Sequence, residues 1–177
     1  MPAMQETYSS IVLSHFFSPK GIGFLDPHDG LSLYGDPDCG DFLEITIKLS
    51  KDNDRLEDMR YRIKGCPAAI ASSSMTYQLA VGKTIEEVLI ISDAEIDSAL
   101  GGLPEAKKHC SLLAVRCLHM AIQDAIYRRL FIKAGIVKND QEYLEKLSAG
   151  ELDHFLHKCN GDCEIATSSE DEDPTTT

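Results

Sequence analysis

Cysteine and histidine are the residues of this chain best suited to chemistry, six of each, and three cysteines stand where the local sequence pattern changes type. Cys39 lies in Gly35-Asp36-Pro37-Asp38-Cys39-Gly40-Asp41, a tight loop between strand-like stretches. Cys66 lies in Gly65-Cys66-Pro67-Ala68-Ala69, where an alternating pattern gives way to a helical one. Cys110 follows His109 at the start of the longest helical stretch. Strand ends and helix starts are where distant side chains can converge at one edge of an α+β domain. A helix N-terminus also favours the thiolate, the form that binds metal or acts as a nucleophile. Such cysteines are thiols for metal or redox chemistry more often than a disulfide framework. The plain alternative for any one of them is a small buried apolar residue.

The elements that must position these thiols follow from periodicity. Tyr8 to Phe17 reads as a short helix with Ile11, Val12, Phe16 and Phe17 on one apolar side, broken by Pro19, Gly21 and Gly23. Leu31 to Tyr34 is a short strand. Leu43, Ile45, Ile47 and Leu49 alternate with Glu44, Thr46 and Lys48, the period of a half-buried strand. Met59, Tyr61 and Ile63 alternate with Arg60 and Arg62 across a polar turn, giving an antiparallel partner. Pro67 suits the first turn of a helix running to about Val81. Thr84 with Glu87 forms a capping box for a helix through Leu89, and Ser92 caps another to Leu100, ended by Gly101 and Gly102. A long helix then starts after Pro104 or His109 and stops at Gly135. Its apolar face is one stripe of Leu113, Cys117, Ala121 and Ala125 beside another of Ala114, Leu118, Ile122 and Ile126. Asp140 to Leu147 and Glu151 to Lys158 are weaker helical stretches, and Ser168 to Thr177 has the composition of a disordered tail.

Composition narrows the function. With 177 residues and 43% hydrophobic content, one domain with a sizeable core is expected. The net charge of −12 repels phosphate backbones, so nucleic acid is not an expected partner. No run of about 18 apolar residues exists, so no membrane span is expected. Met1 to Tyr8 lacks the pattern of a signal or transit peptide, and a cytoplasmic location is the expectation. Gly82-Lys83-Thr84 resembles the end of a phosphate loop, but Tyr77 stands where that loop needs glycine. Asp36, Asp38 and Asp41 lack the glutamate of a calcium loop, because Ile47 occupies its position. Successive helical residues point about 100° apart, so His109 and Cys110 are not expected to face each other as a hydrolase dyad.

The ordered set of motifs resembles the IscU/NifU-type iron–sulfur cluster scaffold family. The matching pieces are Tyr8-Ser9 through His15-Phe16, Cys39-Gly40-Asp41, Gly65-Cys66 with Ala69-Ile70-Ala71-Ser72-Ser73-Ser74, and Leu103-Pro104 with Lys107 and His109-Cys110-Ser111. The resemblance covers about residues 8–135. It implies an α+β fold: a small antiparallel three-stranded sheet with helices packed on one face, a long C-terminal helix and an acidic disordered tail. The expected division is a scaffold domain over 1–135, a helical extension over 136–167 and the tail over 168–177. The implied function is assembly and transfer of a labile [2Fe–2S] cluster by a protein that is not an enzyme. Cys39, Cys66 and Cys110 would be ligands, and Asp41 or His109 would complete the set. Cys110 would accept persulfide sulfur from a cysteine desulfurase. Apo iron–sulfur proteins would receive the cluster, and a second copy of the chain would join when it is loaded. The same donors suit iron or zinc. A zinc-bound sulfurtransferase like those of the SufU branch is the alternative; the short interval between Cys66 and Cys110, and His109 itself, favour the scaffold.

Two departures carry consequences. Pro67 follows the second cysteine where the family often has glycine. Leu103-Pro104-Glu105-Ala106-Lys107 replaces the Leu-Pro-Pro-Val-Lys segment that an Hsp70-type chaperone reads in the family, which argues against that partner here. Cys117 is expected to be a buried core thiol, since Leu113 and Ala121 share its stripe. His119 is expected to be a solvated or partly packed side chain. His154, His157, Cys159 and Cys163 form a local cluster whose plainest reading is an exposed tail with reactive thiols.

Overall fold

The computed structural model describes residues 8–36, 40–52 and 55–152. Cys39, the cluster from His154 to Cys163, the helical stretch beyond Leu152 and the acidic tail lie outside them.

The alternating stretches form one sheet in the order β1 (Gly30–Asp36), β2 (Asp41–Leu49), β3 (Leu56–Lys64), antiparallel throughout. The register pairs Leu43 with Ile63, Ile45 with Tyr61 and Ile47 with Met59, so the apolar sets share one face. The helices are α1 (Ser10–Phe17), α2 (Pro67–Ala80), α3 (Ile85–Leu89), α4 (Asp93–Ala99), α5 (His109–Lys133) and α6 (Asp140–Ser148). Two of them, α2 and α5, cover the apolar face of the sheet, as expected for an α+β domain of this kind. The capping box at Thr84 and Glu87 is present with both bonds, and Ser92 caps α4 through the amide of Glu95. A single 3₁₀ turn, Glu105–Lys107, links Pro104 to α5.

Small residues set how close α5 lies to the sheet. Ala114, Cys117, Ala121 and Ala125 are all fully buried. A Cβ built at Gly30 would collide with the carbonyl oxygen of Ala121 and stand 3.0 Å from the Ala125 methyl. Ser32 Oγ donates to the Cys117 carbonyl at 2.6 Å, fixing the register between β1 and α5. Cys117 is a core thiol: burial pushes its pKa up to about 12, and its Sγ–H points at the Leu43 carbonyl. Of the two expected apolar stripes on α5, Ile126 departs and is 40% exposed.

Two further expectations need correction. First, α1 does not bury the apolar side read from its sequence. Ile11 and Phe17 are exposed, and the inward residues are Val12 and His15. The reason lies in α2, whose buried surface is Ser- and Thr-rich: Ser72, Ser73, Ser74 and Thr76 are all buried. Ser73 and Thr76 bond back to carbonyls of their own helix, while Ser74 Oγ meets His15 Nδ1 at 2.7 Å and accepts from the Lys20 amide. A polar partner on α2 thus draws in a polar residue on α1. Second, Thr46 is buried although β2 reads as half-buried. The segment from Gly21 to Asp29 crosses the outer face of the sheet. Ile22 pairs with Tyr61, and the Leu25 amide donates to Thr46 Oγ1 at 3.1 Å.

Beyond Gly135, where φ is +73° and glycine ends the helix without strain, α6 folds back on the end of α5. Phe131, Val137, Tyr143 and Leu152 form a second apolar cluster. Asp124 joins it to the sheet: Oδ2 accepts from the Leu31 amide and from Arg128, both at 2.9 Å, and Oδ1 accepts from Tyr143 Oη at 2.8 Å. Among the described residues, no helix is long and apolar enough to cross a membrane.

Candidate functional site

Four of the five expected donors fall in the described residues, and they meet at one end of the sheet. Asp41 opens β2, directly after Gly40, whose φ of +70° makes the turn. Cys66 is the N-cap of α2, since β3 ends at Lys64 and Pro67 starts the helix. His109 and Cys110 are the first two residues of α5, held in place by the 3₁₀ turn before them. The ends of a strand and two helices therefore supply the site, as the sequence pattern requires.

Cys110 is the hub. Its Sγ lies 3.6 Å from Cys66 Sγ, 3.5 Å from His109 Nε2 and 3.8 Å from Asp41 Oδ2. One donor atom each of Asp41, His109 and Cys110 lies within 4.8 Å of the others, close enough to share one metal ion. Cys66 is not a member of that three-residue group; its sulfur reaches the group through Cys110. Cys110 and Asp41 are buried, while Cys66 and His109 are partly exposed and form the solvent side.

The contact between His109 and Cys110 corrects the expectation that neighbours on a helix cannot meet. His109 is the first residue of α5, and its ring folds along the helix start to its neighbour's sulfur.

Asp41 is positioned by more than its own strand. Its Oδ1 accepts the Cys66 amide at 3.1 Å, tying the start of β2 to the start of α2. Gly65 makes room for it: a Cβ there would stand 3.1 Å from Asp41 Oδ1 and 3.1 Å from the Ala69 methyl.

Electrostatics favour a thiolate at Cys66. Its pKa is held down to about 6, first by the hydrogen bond from Cys110 and then by the amides of Ala69 and Ala68 in the first turn of α2. Burial and the Asp41 carboxylate oppose that shift. Lys107 stands nearby, its ammonium favoured chiefly by the Cys66 thiolate. Tyr8, half-buried at the same rim, has its phenol pKa raised by burial first and then by the negative charge of Cys66. Lys107 and Tyr8 were legible only as pieces of motif; nothing in the sequence says that their charges act on the site.

Cys117 takes no part, and His119 is partly packed, its Nε2 near the Val88 carbonyl. The arrangement is two soft sulfurs beside a harder carboxylate and imidazole, a donor set that accepts zinc or iron. Hard ligands exchange more readily on iron bound to sulfur, so such a set grips without locking.

Residues 7–130 match the model of the NifU-like N terminal domain family. The chain is 43% identical over 157 residues to "Iron-sulfur cluster assembly scaffold protein IscU 1" of Archaeoglobus fulgidus, covering 86% of this chain and 98% of that one. It is 40% identical over 126 residues to the IscU scaffold protein of Aquifex aeolicus, covering 71% of this chain and 80% of that one. The crystal structure of the N-terminal part of a nitrogen-fixing NifU-like protein from Brucella abortus superposes with a TM-score of 0.59 at 20% identity, over 71% of this chain and 98% of that one. That likeness speaks for the fold.

Proposed function

The chain belongs to the NifU-like N-terminal domain family, and from that membership we propose that it is a scaffold on which an iron–sulfur cluster is assembled and then passed to apo-proteins. The observation that carries this reading is the contact of two cysteines from different helices, Cys66 and Cys110, 3.6 Å apart beside Asp41 and His109.

In this reading Cys39, Cys66 and Cys110 bind a [2Fe–2S] cluster through sulfur, and Asp41 or His109 completes the ligand set. Cys39 stands two residues before Asp41 in the chain. A cysteine desulfurase supplies sulfur as a persulfide on Cys110, and the cluster leaves for recipient proteins. Asp41 is the exchangeable ligand: its carboxylate is already shared with the Cys66 amide, so it has a second partner ready when it lets go of iron. Lys107 offsets the negative charge that thiolates and carboxylate accumulate at the rim. The same donors accept zinc, so zinc is expected in protein purified without iron.

The test is anaerobic reconstitution with iron, sulfide and a desulfurase, followed by visible absorption and transfer to apo-ferredoxin. Asp41→Ala should still form the chromophore but release it more slowly, by about tenfold, or ~1.4 kcal/mol in the barrier. Transfer at the wild-type rate would remove Asp41 from the exchangeable position.

A further inference from the structure

Persulfide sulfur must gain two electrons before it can enter a cluster as sulfide. We infer that Cys66 is the resolving thiol that releases it: the Cys66 thiolate attacks Sγ of the persulfidated Cys110, hydrosulfide leaves, and a Cys66–Cys110 disulfide forms. This rests on the reading of Cys110 as the persulfide acceptor.

The geometry separates Cys66 from the other donors. It touches Cys110 Sγ at 3.6 Å, yet stands outside the three-residue group of Asp41, His109 and Cys110. It is the sulfur on the solvent side of the pair, while Cys110 is fully buried. A disulfide bond of about 2.05 Å needs the two sulfurs to close by roughly 1.5 Å, within the reach of side-chain torsions at two helix starts. The Cys66 amide is anchored on Asp41 Oδ1, which fixes the approaching residue at its backbone. The contact is with the inner sulfur of the persulfide, and attack there expels sulfide. Attack on the outer sulfur would only move the persulfide to Cys66.

The step balances. Cys110–S–SH and Cys66–S⁻ give Cys110–S–S–Cys66 and HS⁻. The S–S bond of the persulfide breaks, the bond between the two cysteines forms, and the persulfide proton leaves with the hydrosulfide. The two cysteines supply the two electrons. A dithiol reductant then reopens the disulfide by exchange and restores both thiols as ligands. Sulfide is thereby set free beside Asp41 and His109, where iron would be held.

The experiment uses the full chain, metal-free and anaerobic, mixed with a cysteine desulfurase preloaded with persulfide and freed of cysteine and reductant. Sulfide is trapped with a bimane reagent, and peptides are read by mass spectrometry. Wild-type protein should release about one sulfide per chain and yield the peptide joining Cys66 to Cys110. Cys66→Ser should keep the extra sulfur on Cys110 and release sulfide at least about tenfold more slowly; the retained sulfur itself shows that the variant's site is intact. Equal release by Cys66→Ser, or wild-type protein that keeps its persulfide or carries it on Cys66, would overturn the inference and leave the acceptor role of Cys110 standing. Sulfur that never appears on Cys110 in either protein would overturn both.

Discussion

His15 shows how much a single residue decides here. Its ring is buried between α1 and α2 against Ser74, and burial first, with Lys20 second, lowers its pKa. The folded state therefore prefers neutral imidazole, and the unfolded chain binds a proton more readily. Stability should be level above the ordinary histidine value of about 6.5 and fall as pH drops below it. Urea midpoints from pH 8 to 5 would check this, with His15→Gln expected to flatten the slope; an equal slope in the variant would place the acid sensitivity elsewhere. The sequence displays His15 but not its partner, because Ser74 sits 59 residues away on a helix whose hydroxyls look solvent-facing by type. Cys117 is the opposite case: its stripe on α5 gives away its burial, and the structure agrees.

At the scale of elements, periodicity made every described strand and helix legible, because each has a cap, a breaker or an alternating face. What it could not show was distance between elements. The approach of α5 to β1 depends on Gly30, and that glycine looks in the sequence like one more turn residue. Gly30→Ala would drive a methyl into the Ala121 carbonyl and the Ala125 side chain, both on a packed helix that cannot give way. The expected cost is ~1–3 kcal/mol, read as a melting temperature lower by roughly 3–10 °C. An unchanged melting temperature would mean that the helix is not seated as described. Convergence of the site's elements was legible from where the cysteines fall; the inward fold of His109 onto Cys110 and the outlying place of Cys66 were not, since both depend on side-chain direction at a helix start.

For the whole molecule, the second apolar cluster and the Asp124 hub join α6 to the scaffold fold, so the family module and the segment after it share one hydrogen-bonded frame. Tyr143→Phe would strip Asp124 Oδ1 of its buried hydroxyl donor. The loss should be about 1–3 kcal/mol by chemical denaturation, and no loss would mean that the bond only replaces one to water. The net charge of −12 sets nucleic acid outside the expected partners. The proposed scaffold role depends on Cys39, Cys66 and Cys110 gripping one cluster together. Thiol footprinting of anaerobically reconstituted protein tests that most directly, with rapid alkylation read peptide by peptide in the apo, loaded and post-transfer states. All three cysteines should lose reactivity on loading and regain it once the chromophore has passed to apo-ferredoxin. Cysteines that stay as reactive in the loaded protein as in the apo protein, with the chromophore present, would contradict it.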